Sequence, residues 1–258
     1  MLSSEVLYPL PSEFDTLKNP PSKIFYKGKT SLLNARKVSI VGARKAYAYS
    51  RNMTQTLARE LSKRGVSVIS GAAMGIDALA HEGAFPNTIA VLANGLDIIY
   101  PKVNRNLLAK MAESSLILSE YEDGEKARAY SFVHRNRLVV ALGEVLVVAQ
   151  ADLNSGSMRS VEFALEMGKK IYVLPHRMDE SQATLKLLDE GKAELITNIK
   201  NFADKFGSLH EERDPFLQFC SKSPTYEEVL AFDSNKLFEY ELLGKIKVLN
   251  GNVFLNNL

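Results

Sequence analysis

Six short apolar runs punctuate the middle of the chain: "KVSIV" (37–41), "VSVIS" (66–70), "TIAVLA" (88–93), "SLILS" (115–119), "VLVVAQ" (145–150) and "IYVLP" (171–175). Each is nearly continuous rather than alternating, which is the pattern of parallel strands buried on both faces. Between them lie amphipathic stretches with helical spacing, among them Met53–Arg64, Asn104–Glu113 and Val161–Lys169. Gly65 and Gly168 follow two of these stretches, where glycine closes helices. Repeated strand–helix–strand alternation over residues 36–207 predicts an α/β fold. The expected form is an extended Rossmann-like, mostly parallel sheet with helices on both faces.

The flanks read differently. Residues 1–35 carry prolines and little periodicity, so an irregular lead-in packed on the main domain is expected. A polar stretch, "GSLHEERDP" (207–215), ends the alternation. Over 215–258 come short helical patterns and then "KIKVLNGNVFLNN", where Asn250-Gly251 between alternating runs signals a two-residue hairpin. Helices followed by a hairpin are the outline of a small winged-helix-like domain.

Composition narrows the partners. Residues 208–258 hold five Lys/Arg against eight Asp/Glu, a net of −3, so the first 207 residues carry +5 of the overall +2. Basic residues bunch at 36, 37, 44, 45 and 51 and again at 126, 128, 135 and 137, which suits a polyanion or simply a solvated face. The longest apolar stretch, Leu138 to Val148, contains Glu144 and is far short of a membrane span. Cys220 is the one cysteine, so no internal disulfide forms and a reducing cytoplasm is the expected compartment. The first residues lack the basic and apolar regions of a secretory signal.

Three of the predicted strands run into loops of small residues: "GARKAYAYS" (42–50), "SGAAMGID" (70–77) and "QADLNSGS" (150–157). In an open parallel sheet ligands bind beyond the strands' carboxyl ends, and each loop leads into a helix whose free N–H groups favour an anion. Glycines 42, 71, 75 and 156 let backbone approach a ligand, and Arg44 adds a cation. A free dinucleotide fits poorly, because the three-glycine spacing is missing and no acidic residue ends the second strand to hold a ribose. No G-x-x-x-x-G-K-[ST] segment marks an ATPase.

Asp77 and His81 stand four apart on one helix face, and with Ser70 they could form a nucleophile set or an acid–base pair. A carboxylate in a first helical turn and a histidine bonded within the fold explain the same residues without catalysis. In "YSFVHRNRLVVALG" (130–143), Arg135, Asn136 and Arg137 are expected at a helix start, where cations oppose the helix dipole and a polyanion would compensate. Phe132 and Tyr130 are expected in the loop just upstream, placed to stack a base. Phe132 in the core and Arg135 paired internally is the alternative.

These segments together resemble the DNA-processing protein A family (DprA/Smf). The resemblance rests on "SIVGAR", "GVSVISGAAMGIDALAHEGA", "TIAVLANGLDIIYPKVNRNL", "LILSEY", "FVHRNRLVVAL" and "VLVVAQADLNSGSM", spanning roughly 37–197. It implies a protein of natural transformation that binds single-stranded DNA, protects it and helps load the RecA recombinase. A homodimer without cofactor or catalytic step is implied as well. Carried over by position, Gly42, Ala43 and Arg44 would grip backbone phosphate, with Ser70, Gly71 and Gly75 as a second cradle. Phe132 would stack a base beside Arg135, Asn136 and Arg137, and Ser155, Gly156 and Ser157 would form the third loop.

The chain departs from the family pattern at Tyr47 and Tyr49-Ser50, where a serine and a Tyr-Gly pair are usual. His176 takes a glycine's place after the last main strand, and "GEKARAYSF" and "ESQATLKLL" replace the usual segments. A related Rossmann-like group binds nucleotides or cleaves nucleoside monophosphates as phosphoribohydrolases. Its P-G-G-x-G-T-x-x-E signature is poorly matched by "SGSMRSVE", which lacks the double glycine and the threonine. The acidic candidate recognition helix, "SNKLFEYELL", suits a protein contact better than a phosphate-lined groove.

Overall fold

The computed structural model describes residues 4–209 and 214–256. The chain divides into two compact units, 1–209 and 210–258. In the first, strands β1 (Glu5–Val6), β2 (Phe25–Gly28), β3 (Lys37–Val41), β4 (Ser67–Ser70), β5 (Thr88–Leu92), β6 (Leu116–Ser119), β7 (Val145–Val148), β8 (Ile171–Val173) and β9 (Glu194–Leu195) form one sheet. Helices α1 (Ala48–Ser62), α2 (Ile76–Ala84), α3 (Arg105–Ser114), α4 (Ala129–Leu142), α5 (Gly156–Glu166), α6 (Gln182–Asp189) and α7 (Ile199–Asp204) connect them. All six expected strands are present, within two residues of their expected bounds.

Strand order is β1-β2-β6-β5-β4-β3-β7-β8-β9. From β6 to β9 every pairing is parallel. Winding starts at β3, runs outward through β4, β5 and β6, and then returns to place β7 on the other side of β3. The switch point therefore lies between the carboxyl ends of β3 and β7.

The continuous apolar runs are explained by two-sided burial. In β7, Val145 and Val147 join one apolar cluster with α1, α2 and α7, while Leu146 and Val148 join another with α4 and α5. Val68 and Ile69 in β4 divide the same way. Each fully buried Val or Leu contributes about 1.5–3 kcal/mol, so this alternation is the main anchor of the loops above it.

The lead-in is more regular than expected. β2 pairs antiparallel with β6 and β1 with β2, extending the sheet, and Phe14, Leu17 and Ile24 enter the main core. Strands of two and four residues are too short to show periodicity, so only the pairing reveals them.

The second unit holds α8 (Pro215–Cys220), α9 (Tyr226–Leu242) and the hairpin β10 (Ile246–Leu249)–β11 (Asn252–Leu255). Helix α9 breaks at Asp233, whose backbone is extended (φ −164°) and whose carboxylate accepts from Lys236 N at 3.0 Å, capping the second segment. The turn Asn250-Gly251 has φ of +50° and +79°, the two left-handed residues a tight hairpin needs. Phe216, Cys220, Val229, Leu237, Ile246 and Val253 form its core. The helices-then-hairpin outline is as expected.

Candidate nucleic-acid interface

The loops after β3, β4 and β7 are locked to one another by backbone hydrogen bonds. Ala43 N donates to Gln150 O (2.8 Å) and Tyr47 N to Gln150 Oε1 (2.9 Å), joining the first loop to the third. Ile76 N at the head of α2 donates to Ala43 O at 3.2 Å, joining the second loop to the first. Ser181 Oγ accepts from Ala151 N at 2.9 Å and supports the third loop from behind. The three predicted loops thus form one edge, with the groove they enclose at the switch point.

That groove has a volume of about 660 Å3. Gly42, Ala43 and Arg44 border it from the first loop, Gly71 from the second, and Ser155, Gly156 and Ser157 from the third. Helix α4 closes the far side with Ala129, Phe132, Val133, Asn136 and Val139. Those positions are three or four apart and form one helical face. Lys45, named in sequence only as part of a basic bunch, also lines it with Asp77 and Arg135, as do Asp152 and Ser160, which sequence reading missed. Ser160 lies three residues after Ser157 on α5, which was the available signal.

Several predicted residues serve the groove from beneath. Ser70 is buried and its hydroxyl donates to Ile40 O at 2.6 Å. Gly75 (φ +80°) packs under the first loop, where a Cβ would collide with the carbonyl oxygens of Ala43 and Arg44. Arg135 is 4% exposed and donates from Nη1 to Gly71 O and, at 2.5 Å, to Val91 O. Burial, with Arg44 adding to it, brings its guanidinium down to about 10 against the opposing pull of Asp77. Arg137 is also buried and donates to both carboxylate oxygens of Glu120, at 2.6 and 2.7 Å.

The reason is the helix start. Helix α4 begins at Ala129, not at Arg135, with Arg128 N donating to Ser131 Oγ at the cap. Tyr130 and Phe132 are therefore helical, and Arg135 to Arg137 lie beyond the first turn, where the dipole makes no demand for an anion. The basic bunches divide as well. Arg36 pairs with Glu144 and Lys37 with Glu13 at the amino end of β3, the opposite edge from exposed Arg44 and Lys45.

No nucleophile set forms from Ser70, Asp77 and His81. Asp77 accepts from Gly71 N (3.2 Å) and Ala73 N (3.4 Å), shaping the second loop. Burial raises its carboxyl above the ordinary range, with Arg135 opposing. His81 is buried with Nδ1 2.7 Å from Thr88 Oγ1, and Thr88 gives its own proton to Val68 O. The imidazole is thus the donor at Nδ1 and neutral, and burial takes its pKa down to about 3.

What remains facing the groove is suited to an anion carrying flat rings. The Arg44 guanidinium sits 5.7 Å from the Phe132 ring centre. At the head of α5 the hydroxyls of Ser155 and Ser160 are buried without a hydrogen-bond partner. The α5 amino end, two unpartnered hydroxyls and a cation thus border one groove beside an aromatic face, an arrangement chemically suited to a phosphate.

The family of DNA recombination-mediator protein A matches residues 3–207 of the chain. The chain belongs to this family. It is 34% identical over 201 residues to the DNA processing protein DprA of Streptococcus pneumoniae, covering 76% of this chain and 71% of that protein. The Bacillus subtilis protein of the same name is 34% identical over 68% of this chain and 61% of its own length. The match thus spans less than two thirds of some of these relatives. Among solved structures, DNA processing protein A of Helicobacter pylori, reported for its single-stranded DNA binding mode, superposes with a TM-score of 0.77 at 45% identity. That match covers 78% of this chain and 94% of the other. The Streptococcus pneumoniae structure gives 0.73 at 30% identity, over 80% and 75%. Among the described residues no helix is long and apolar enough to cross a membrane.

Proposed function

We propose that this member of the family binds single-stranded DNA in the switch-point groove as a recombination mediator of natural transformation, in the cytoplasm. The observation that carries the reading is the pairing of a phosphate cradle with the Arg44–Phe132 face in one groove. Arg44, Ala43, Gly42, Ser155, Gly156 and Ser157 take the backbone, and Phe132 and Asn136 meet a base. Ser70, Gly71, Gly75, Arg135 and Arg137 set the shape of the groove and touch no DNA with their side chains. An aromatic contact requires an unstacked base, which favours a single strand over duplex.

The reading includes no catalytic step, since Ser70, Asp77 and His81 are each engaged within the fold. It also includes a homodimer that delivers the strand to the RecA recombinase. The second unit, with exposed Phe238 and Leu242 on either side of Glu239 and Glu241 on α9, is assigned to protein contact rather than DNA.

Fluorescence anisotropy with labelled oligo-dT and a duplex of equal length, across salt concentrations, tests the reading. Salt-dependent binding that prefers the single strand and falls in Phe132→Ala supports it. Equal affinity for duplex, or release of free base from nucleoside monophosphates, overturns it. Removing residues 208–258 leaves affinity within a few-fold on this view; a hundredfold loss refutes the role given to the second unit.

A further inference from the structure

Beside the groove lies a shallow recess between the loops after β4 and β5, bordered by Arg44, Met74, Asn94, Tyr100, Pro101 and Phe132. Tyr100 is 48% exposed, yet its ring centre is 5.6 Å from that of Phe132 with the planes at 46°. Rings that close are already in contact and admit no base between them, so each offers only its outer face. The exposed tyrosine is held by buried amides. Asn104 Nδ2 donates to Ala72 O (3.0 Å) and Ala73 O (3.2 Å), and Asn94 Nδ2 donates to Gly95 O (2.8 Å) and Ile98 O (2.7 Å). Two buried side chains thus fix a loop that carries a half-exposed ring.

The same loop then presents two exposed cations, Lys102 and Arg105. Arg105 is the first residue of α3, and that helix has no acidic residue in its first turn. A cation there opposes the helix dipole, the conflict that sequence reading placed at Arg135 and that the structure locates here instead.

We propose that the strand continues from Phe132 onto Tyr100, which takes the next base, and that Lys102 and Arg105 hold the phosphates beyond it. The inference rests on the single-stranded DNA reading above and adds its direction of travel, away from α5 and across the end of β5.

Anisotropy on the full chain tests it with oligo-dT and with an abasic strand of the same length. Tyr100→Ala is expected to weaken oligo-dT binding about tenfold, within the range of one stacked base, while Tyr100→Phe binds as the parent does. On the abasic strand Tyr100→Ala and the parent bind alike. The Lys102→Ala/Arg105→Ala double variant weakens both strands and flattens the slope of log affinity against log salt by about 1.4, two single-strand phosphates' worth. Unchanged oligo-dT affinity in Tyr100→Ala overturns the proposal, as does an equal loss on the abasic strand. A parent protein that binds neither strand defeats the single-stranded DNA reading itself, and this inference with it.

Discussion

Gly156→Ala separates folding from binding more sharply than any other change in the groove. A Cβ at Gly42 would meet the Ile76 side chain at 2.7 Å, and one at Gly71 would meet the Arg135 guanidinium. One at Gly75 would strike two carbonyl oxygens. Those three glycines are required by the protein's own packing. At Gly156, the first residue of α5, a Cβ would find nothing within 4 Å. Its φ is not in the left-handed region, so alanine should stabilise the fold by about 0.4–1 kcal/mol through the unfolded state. If a phosphate rests on the head of α5, the added methyl lifts it off the N–H groups. Losing one charge-assisted hydrogen bond costs about 1.5–3 kcal/mol, or about ten- to a hundredfold in affinity. Urea unfolding and oligo-dT anisotropy on one preparation read both effects. Affinity within twofold of the parent would show that no strand approaches α5, and the phosphate cradle would fall.

Arg44→Ala should weaken oligo-dT binding and flatten the salt slope by about 0.7, one single-strand phosphate, with little change in urea midpoint; an unchanged slope contradicts the contact. Arg135→Met should instead destabilise by about 3–5 kcal/mol, because it strands two buried carbonyls and removes the cation nearest Asp77; a loss below 1 kcal/mol in urea unfolding would refute its buried role. His81 has a folded pKa of about 3 against 6.5 unfolded, so below pH 6.5 only the unfolded state takes the proton, and stability falls as pH drops toward 3. Between pH 7 and pH 5 the loss should be about 2 kcal/mol, and His81→Gln should remove it; equal pH profiles for the two proteins exclude this assignment.

The parallel sheet was legible because each strand is buried on both faces and so reads as an unbroken apolar run. The three loops were legible because small residues follow those runs. The roles of individual side chains were not. Arg44 and Arg135 look alike in sequence, yet one is exposed and the other lies under Gly71, a difference created by β5 and α4 meeting across the sheet. The start of α4 was misplaced by six residues because "GEKARAY" carries neither the proline nor the Ser, Thr, Asp or Asn cap that marks a helix start. Tyr100 escaped notice because its value depends on Phe132, thirty-two positions away, arriving at its edge.

One departure from the family pattern, His176, packs against the start of α1. Tyr49, near the start of α1, sets its ring edge against His176, with centres 5.8 Å apart and planes at 82°. His176 Nε2–H donates to Ala149 O at 2.8 Å, just beyond β7, and the imidazole is fully enclosed. Where the family pattern has glycine, this chain has the His176 ring, which packs against Tyr49 between the first and third loops. The pair lies behind the groove, on the side of Ala149 and Gln150, and Gln150 still bonds Ala43 and Tyr47. The ring pair is thus compatible with the Ala43–Gln150 and Tyr47–Gln150 bonds that hold Gly42 to Arg44 at the rim of the groove.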